Sequence, residues 1–63
     1  MTYIKTIRKE NGLSRREMAE KLNMNLDVYR GVERGDRATS LKTIKKLTEM
    51  YPNIDTNKFF KQY

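Results

Sequence analysis

The 63-residue chain contains no cysteine and no histidine. The absence of cysteine excludes disulfides and thiolate-ligated zinc, and the absence of histidine removes the usual imidazole ligands and proton shuttles. The carboxylates are scattered and show no pairing suited to general acid and base chemistry. We therefore expect a protein that is not an enzyme and that needs no metal or other cofactor.

The sequence also lacks an apolar run near the roughly 20 residues that a membrane-spanning helix needs. Residues 1–11 are too charged for a secretory signal. We expect a soluble, cytoplasmic protein with no membrane partner. The length allows a single domain, residues 1–63, and so short a chain buries only about 60% of the surface that it exposes when unfolded.

Positive charge is in excess. Fourteen lysines and arginines against eight acidic residues give a formal net charge of +6. This balance favours a polyanionic partner, with nucleic acid as the leading candidate. A solvated surface rich in lysine would give the same balance, so charge alone does not decide the function.

Cap and turn residues divide the chain into five short helical segments, and no segment alternates apolar and polar residues as a strand would. The predicted helices begin after Met1, Ser14, Asn25, Ser40 and Asp55. The clearest start is Ser14 followed by Glu17, a capping box. Leu41, Ile44 and Leu47 are expected to form the apolar face of the fourth helix. The predicted fold class is all-α, a compact bundle of four to five helices.

Residues 14–34 carry the pattern of a helix-turn-helix, in which two short helices cross steeply on either side of a tight turn. Ala19 is small, as the close approach of such helices requires. The apolar positions that complete the pattern are Met18, Leu22, Met24, Tyr29 and Val32.

The stretch from Ile4 to Leu47 resembles the Cro/CI-type helix-turn-helix domain, also called the XRE family, of phage and plasmid repressors. The matching residues are Ile7, Arg8, Gly12 to Ser14, Glu17 to Leu22, Val32 to Gly35, Ser40, Leu41, Ile44 and Leu47. The resemblance implies that the third helix lies in the major groove of DNA and reads base edges.

The resemblance also implies roles for the residues around this helix. Arg8 and Glu33 match an internal ion pair of the family, although a phosphate contact for Arg8 is an alternative. Arg15 stands where the family usually has a glutamine that clamps a phosphate. Arg16 either adds a second phosphate contact or is a solvated residue of the first helical turn.

The base-reading positions implied by the resemblance are Asn25, Leu26, Asp27, Arg30 and Gly31, with Val28 near the backbone. Arg30 is the strongest candidate, because a guanidinium can bond guanine O6 and N7 together. Leu26 offers only a van der Waals contact to a thymine methyl group. Asp27 either accepts from cytosine N4 or stabilises the helix dipole without touching DNA.

Two further arginines flank this surface, and Gly31 lies within it. We expect Arg34 to contact phosphate and Arg37 to contact phosphate or enter the adjacent minor groove. Gly31 inside a helix costs about 1 kcal/mol relative to alanine. It either lets the helix sit deeper in the groove or is simply tolerated.

Aromatic residues are concentrated at the C-terminus, where a last helix over about 55–63 would carry Phe59, Phe60 and Tyr63. These side chains either pack on Ile4 and Ile44 or form a two-fold interface with a second copy. We expect Phe59 to cap the core while Phe60 or Tyr63 forms a homodimer contact.

Taken together, these features predict a sequence-specific, double-stranded DNA-binding transcriptional regulator, more narrowly a repressor, controlled by concentration or by a regulatory protein partner. The alternative is the same fold used to bind protein, as an antirepressor or antitoxin, with Leu26, Asp27 and Val28 as the interface. RNA binding is disfavoured, because no exposed stacking aromatics are expected.

Overall fold

The computed structural model describes residues 2–59, which form four α-helices and a final 3-10 helix. The α-helices are α1 (Tyr3–Glu10), α2 (Arg15–Lys21), α3 (Leu26–Arg34) and α4 (Leu41–Met50), and the 3-10 helix covers Thr56–Phe59. Residues 2–59 contain no strand. The all-α class predicted from the sequence is confirmed.

The start of α2 shows the predicted capping box. Ser14 Oγ accepts from the Glu17 N–H at 3.1 Å, and Glu17 Oε1 accepts from the Ser14 N–H at 2.8 Å. Two of the backbone groups that a helix start leaves unpaired are thereby bonded, which fixes where α2 begins. Gly12 precedes it with φ at +66°, a conformation that favours glycine because it has no Cβ.

The turn between α2 and α3 is held by its own backbone. Asn23 takes the left-handed conformation with φ at +54°, and the Met24 N–H donates to the Ala19 carbonyl at 2.8 Å. Asn25 then caps α3, because its Oδ1 accepts from the Asp27 N–H at 2.8 Å. These bonds set the direction in which α3 leaves α2.

The hydrophobic core lies between the four helices and is closed at one end by the 3-10 helix. Its buried apolar side chains are Ile4, Ile7, Met18, Ala19, Leu22, Tyr29, Val32, Ile44, Leu47 and Phe59. Every apolar position predicted for the helix-turn-helix belongs to this set except Met24, which is half-buried against it. The core therefore holds α3 by one face and leaves the opposite face outward.

Leu41 differs from the prediction. The sequence pattern places it on the buried face of α4, but it is 73% exposed. An α-helix turns about 100° per residue, so Leu41 lies about 60° from Ile44 and about 120° from Leu47 around the axis. As the first residue of α4, it also lies at the end of the helix, beyond the packed turns.

The C-terminal segment forms a 3-10 helix over Thr56–Phe59. The extension of the predicted last helix over about 55–63 beyond Phe59 stays a prediction. Asp55 Oδ1 accepts from the Asn57 N–H at 3.1 Å, a local bond that favours a tight turn. Phe59 is buried, and its ring lies edge-on to the ring of Tyr3 with centroids 5.1 Å apart. Phe60 and Tyr63 lie outside the described residues.

Candidate nucleic-acid interface

A buried ion pair connects α1 to α3. Arg8 donates from Nε to Glu33 Oε2 at 2.8 Å and from Nη2 to Glu33 Oε1 at 3.2 Å, and its Nη1 donates to the Leu13 carbonyl at 2.8 Å. This forked geometry is the one that arginine and carboxylate favour. The structure thus contains the pair that the resemblance implied, and it fixes the end of α3 against α1.

Arg15 is a third member of this network, which the sequence did not reveal. Its Nε donates to Glu33 Oε1 at 3.0 Å, while about half of its side chain stays exposed. Glu33 therefore holds one arginine inside the core and a second at the surface. The bond restrains the stem of Arg15 at the start of α2, next to α3.

Burial alone would raise the pKa of Glu33, but hydrogen bonds and the charges of Arg8 and Arg15 outweigh it and hold the pKa below its ordinary value. The neighbouring Tyr29 hydroxyl is fully buried, and it forms no hydrogen bond with any residue that the structure describes. Burial raises the pKa of Tyr29 far above its usual range, so the hydroxyl stays neutral.

The outward face of α3 is polar. Asn25, Asp27 and Arg30 are exposed, as the predicted base-contacting role requires. Leu26 and Val28 are only half-buried, and Leu26 packs against the core. Among residues 2–59, Leu41 on α4 is the large apolar side chain that is strongly exposed. The apolar patch that a protein partner would need on α3 is therefore mostly covered.

Gly31 is one turn after Asp27 on the same side of α3, and its predicted contact with DNA stays a prediction. It is buried, and the side chain of Arg37 lies across it. A Cβ built on Gly31 would meet Arg37 Cδ at 3.2 Å and Nε at 3.3 Å. The absence of a Cβ on Gly31 therefore makes room for the Arg37 stem. Arg37 lies just after Gly35, the residue that ends α3, and is exposed there.

A cleft of about 670 Å³ opens between α1, α2 and α3. Four basic side chains line it: Lys5 from α1, Arg15 from α2, and Arg30 and Arg34 from α3. Glu33 is the acidic residue in its lining, and Arg8 already bonds that carboxylate from inside the protein. The cleft is therefore strongly positive and open to solvent beside the outward face of α3.

The other predicted cations are exposed. Arg16 lies in the first turn of α2, and Arg34 Nε donates to Asp36 Oδ2 at 3.0 Å across the end of α3. Both partners of that pair are more than 60% exposed, so water screens it and it contributes little. These guanidinium groups remain available to phosphate.

Within residues 2–59, acidic side chains form no group of three or more that could hold a metal ion. The same residues include no helix long and apolar enough to cross a membrane.

Comparison with known proteins adds one match. The model of a helix-turn-helix family matches residues 4–59, which covers most of the chain. No curated protein and no solved structure matches the sequence.

Proposed function

Because the chain belongs to the Cro/CI-type, or XRE, helix-turn-helix family, we propose that it is a sequence-specific transcriptional regulator, and more narrowly a repressor, that binds double-stranded DNA. The single observation that carries this proposal is the orientation of α3. Its apolar side packs into the core, and Asn25, Asp27 and Arg30 face outward together. A helix supported in this way fits the major groove.

In this proposal Arg30 reads a guanine, since it is an exposed arginine of α3 that can make a bidentate contact to O6 and N7. Arg34, the other exposed arginine of α3, is assigned to phosphate because it lies in the last turn of the helix. Asn25 is a second polar candidate for a base edge, although its Oδ1 already caps the helix. Leu26 and Val28 contribute van der Waals contacts. Asp27 serves mainly as a first-turn acid that stabilises the helix dipole.

Backbone phosphates are contacted by the arginines around α3. Arg15 and Arg16 approach from the first turn of α2, and Arg34 and Arg37 approach from the last turn of α3 and just beyond it. Phosphate contacts carry no sequence information but set the register of the protein on the duplex. The net charge of +6 supports this arrangement.

The test is selection of bound sites from random duplexes, performed with the natural protein and with Arg30→Ala. If Arg30 reads a base, the variant selects a motif that has lost preference at one position, at a cost of about 1–3 kcal/mol for that base pair. Lys45→Ala, which removes an exposed positive charge from α4, should leave the motif unchanged. Failure of the natural protein to enrich any motif would contradict the proposal.

We also propose that the protein acts as a homodimer on half-sites about 34 Å apart. Phe60 or Tyr63 is the proposed contact, since Phe59 is already used in the core. Deleting residues 60–63 keeps Phe59 and should give a monomer that binds operator DNA weakly. Sedimentation measures the change, and an unchanged dimer would contradict the proposal.

The second candidate function is binding to a protein, as an antirepressor or antitoxin. The covered position of Leu26 weighs against it. The two functions differ in their response to salt: DNA binding weakens steeply as salt rises, because neutralised phosphates release counterions. A partner whose binding survived high salt would favour the protein-binding function.

A further inference from the structure

Lys5 on α1 is a basic residue that neither the helix-turn-helix pattern nor the outward face of α3 accounts for. It lies outside residues 14–34, yet it lines the same cleft as Arg15 and Arg34. Among residues 2–59 it forms no ion pair. A half-buried lysine that shares a cleft with two arginines would be stabilised by a partner of opposite charge.

The cleft is built so that its positive charge is not neutralised from within. The Glu33 carboxylate is shared between Arg8, which is buried, and Arg15, so one negative charge faces two guanidinium groups. Lys5, Arg30 and Arg34 add three more positive charges around the same opening, and the pair of Arg34 with Asp36 is exposed and screened by water. An anion placed there would relieve their mutual repulsion, and the open shape allows it to enter.

The bond from Arg15 to Glu33 uses Nε and leaves the far side of a half-exposed guanidinium free. A guanidinium restrained in this way loses less conformational freedom when it binds a second anion. Thr2 fixes the neighbouring chain, because its Oγ1 donates to the Glu33 carbonyl at 2.7 Å. The cations around the cleft thus lie on α1, α2 and α3, which are linked to one another by the ion pairs of Glu33 with Arg8 and Arg15.

We propose that this cleft holds one phosphate of the DNA backbone between Lys5, Arg15 and Arg34, so that α1 contributes to the DNA-binding surface through Lys5. The inference rests on the proposed function. Arg30 connects the cleft with the outward face of α3, since it belongs to that face and also lines the cleft. The phosphate and the base edge of one strand lie close enough for neighbouring side chains of a groove-bound helix to contact both.

The experiment measures duplex affinity by fluorescence anisotropy over a series of salt concentrations. Removing one phosphate-binding cation should make the slope of log K against log salt shallower by about 0.9. We expect this for Lys5→Ala and no change for Lys5→Arg, which keeps the charge. Lys45→Ala is the matched control, since it removes an exposed lysine that does not line the cleft.

A second measurement locates the contact on the DNA. Replacing one phosphate at a time by an uncharged methylphosphonate should identify one position that weakens binding of the natural protein more than binding of Lys5→Ala, which keeps only Arg15 and Arg34 at that phosphate. If Lys5→Ala lowers the melting temperature, Lys5→Gln keeps most of the aliphatic stem and gives the same comparison.

The outcomes separate the inference from the proposed function. A natural protein that binds no duplex contradicts the proposed function. Suppose instead that the natural protein binds duplex, but Lys5→Ala shows the same slope of log K against log salt as the natural protein, or Lys45→Ala changes that slope by as much as Lys5→Ala does. Either result overturns the inference about the cleft and leaves the proposed function standing. Displacement of the duplex by inorganic phosphate at constant ionic strength would identify a free anion as the occupant of the cleft. Binding of an acidic protein that depends on Lys5, when duplex binding does not depend on it, would identify a protein as the occupant. Either result would also overturn the inference.

Discussion

Replacing Glu33 by glutamine tests how the structure holds α3 in place. The substitution keeps the size of the side chain but removes the charge that Arg8 and Arg15 share. Arg8 would remain buried, with 7% of its surface exposed, and with no carboxylate to balance it. A buried charge left without its partner is among the most destabilising changes in a protein.

Breaking a buried ion pair by removing one partner costs about 3–5 kcal/mol. A 63-residue protein has a free energy of unfolding of roughly 3–9 kcal/mol, at about 0.05–0.15 kcal/mol per residue. Each kcal/mol shifts the melting temperature of so small a domain by about 4–8 °C. Glu33→Gln should therefore melt at least about 12 °C lower or fail to fold, and most of the effect comes from Arg8, because Arg15 is half exposed.

Thermal and urea unfolding followed by circular dichroism measures the change in stability. The control is Asp36→Asn, which breaks the exposed pair with Arg34 and should cost less than about 1 kcal/mol. Combining Arg8→Met with Glu33→Leu removes both buried charges and should recover much of the stability. A destabilisation by Glu33→Gln as small as that by Asp36→Asn would refute the account of the buried pair.

The same residue predicts a pH dependence. The pKa of Glu33 is lower in the folded protein than its ordinary value of 4.5, so its contribution to stability is complete above that pH. It is lost as pH falls below 4.5 through the folded pKa, because the unfolded chain then binds the proton more readily. The free energy of unfolding, measured at several acidic pH values, should depend more steeply on pH for the natural protein than for Glu33→Gln.

Three further substitutions test local features. Tyr29→Phe removes a buried hydroxyl with no bonded partner and should cost less than about 1 kcal/mol or stabilise the fold, whereas a cost above about 2 kcal/mol in urea would indicate a bond. Ser14→Ala breaks the capping box and should cost about 1 kcal/mol in the same assay, and no change would mean that the cap is dispensable. Gly31→Ala should raise the free energy of unfolding by up to about 1 kcal/mol. The full gain should appear only when it is combined with Arg37→Ala, because the new Cβ would lie 3.2 Å from Arg37 Cδ. Equal gains with and without Arg37→Ala would contradict that contact.

Local signals in the sequence predicted most of the fold. Ser14, Asn25 and Ser40 each cap the helix that follows, because a side-chain oxygen at these positions bonds backbone groups only a few residues away. Gly35 ends α3 with φ at +87° for a similarly local reason. Such interactions depend on neighbouring residues alone, so the sequence is enough to place them.

The features that the sequence did not predict depend on contacts between distant residues. Arg15 is 18 positions from Glu33, and nothing in the spacing of a helix-turn-helix indicates that they meet. The contact of Arg37 with Gly31 depends on how the chain turns after α3, which local propensity does not determine. Lys5 enters the candidate site for the same reason, through the packing of α1 against α3.

The most direct test of the central claim is a nuclear magnetic resonance titration of isotope-labelled protein with duplex DNA. If the outward face of α3 enters the major groove, the largest amide shifts should fall within residues 25–30 and at the first turn of α2. Shifts confined to α4 or the 3-10 helix, or no shifts at low salt, would contradict the claim that α3 binds DNA.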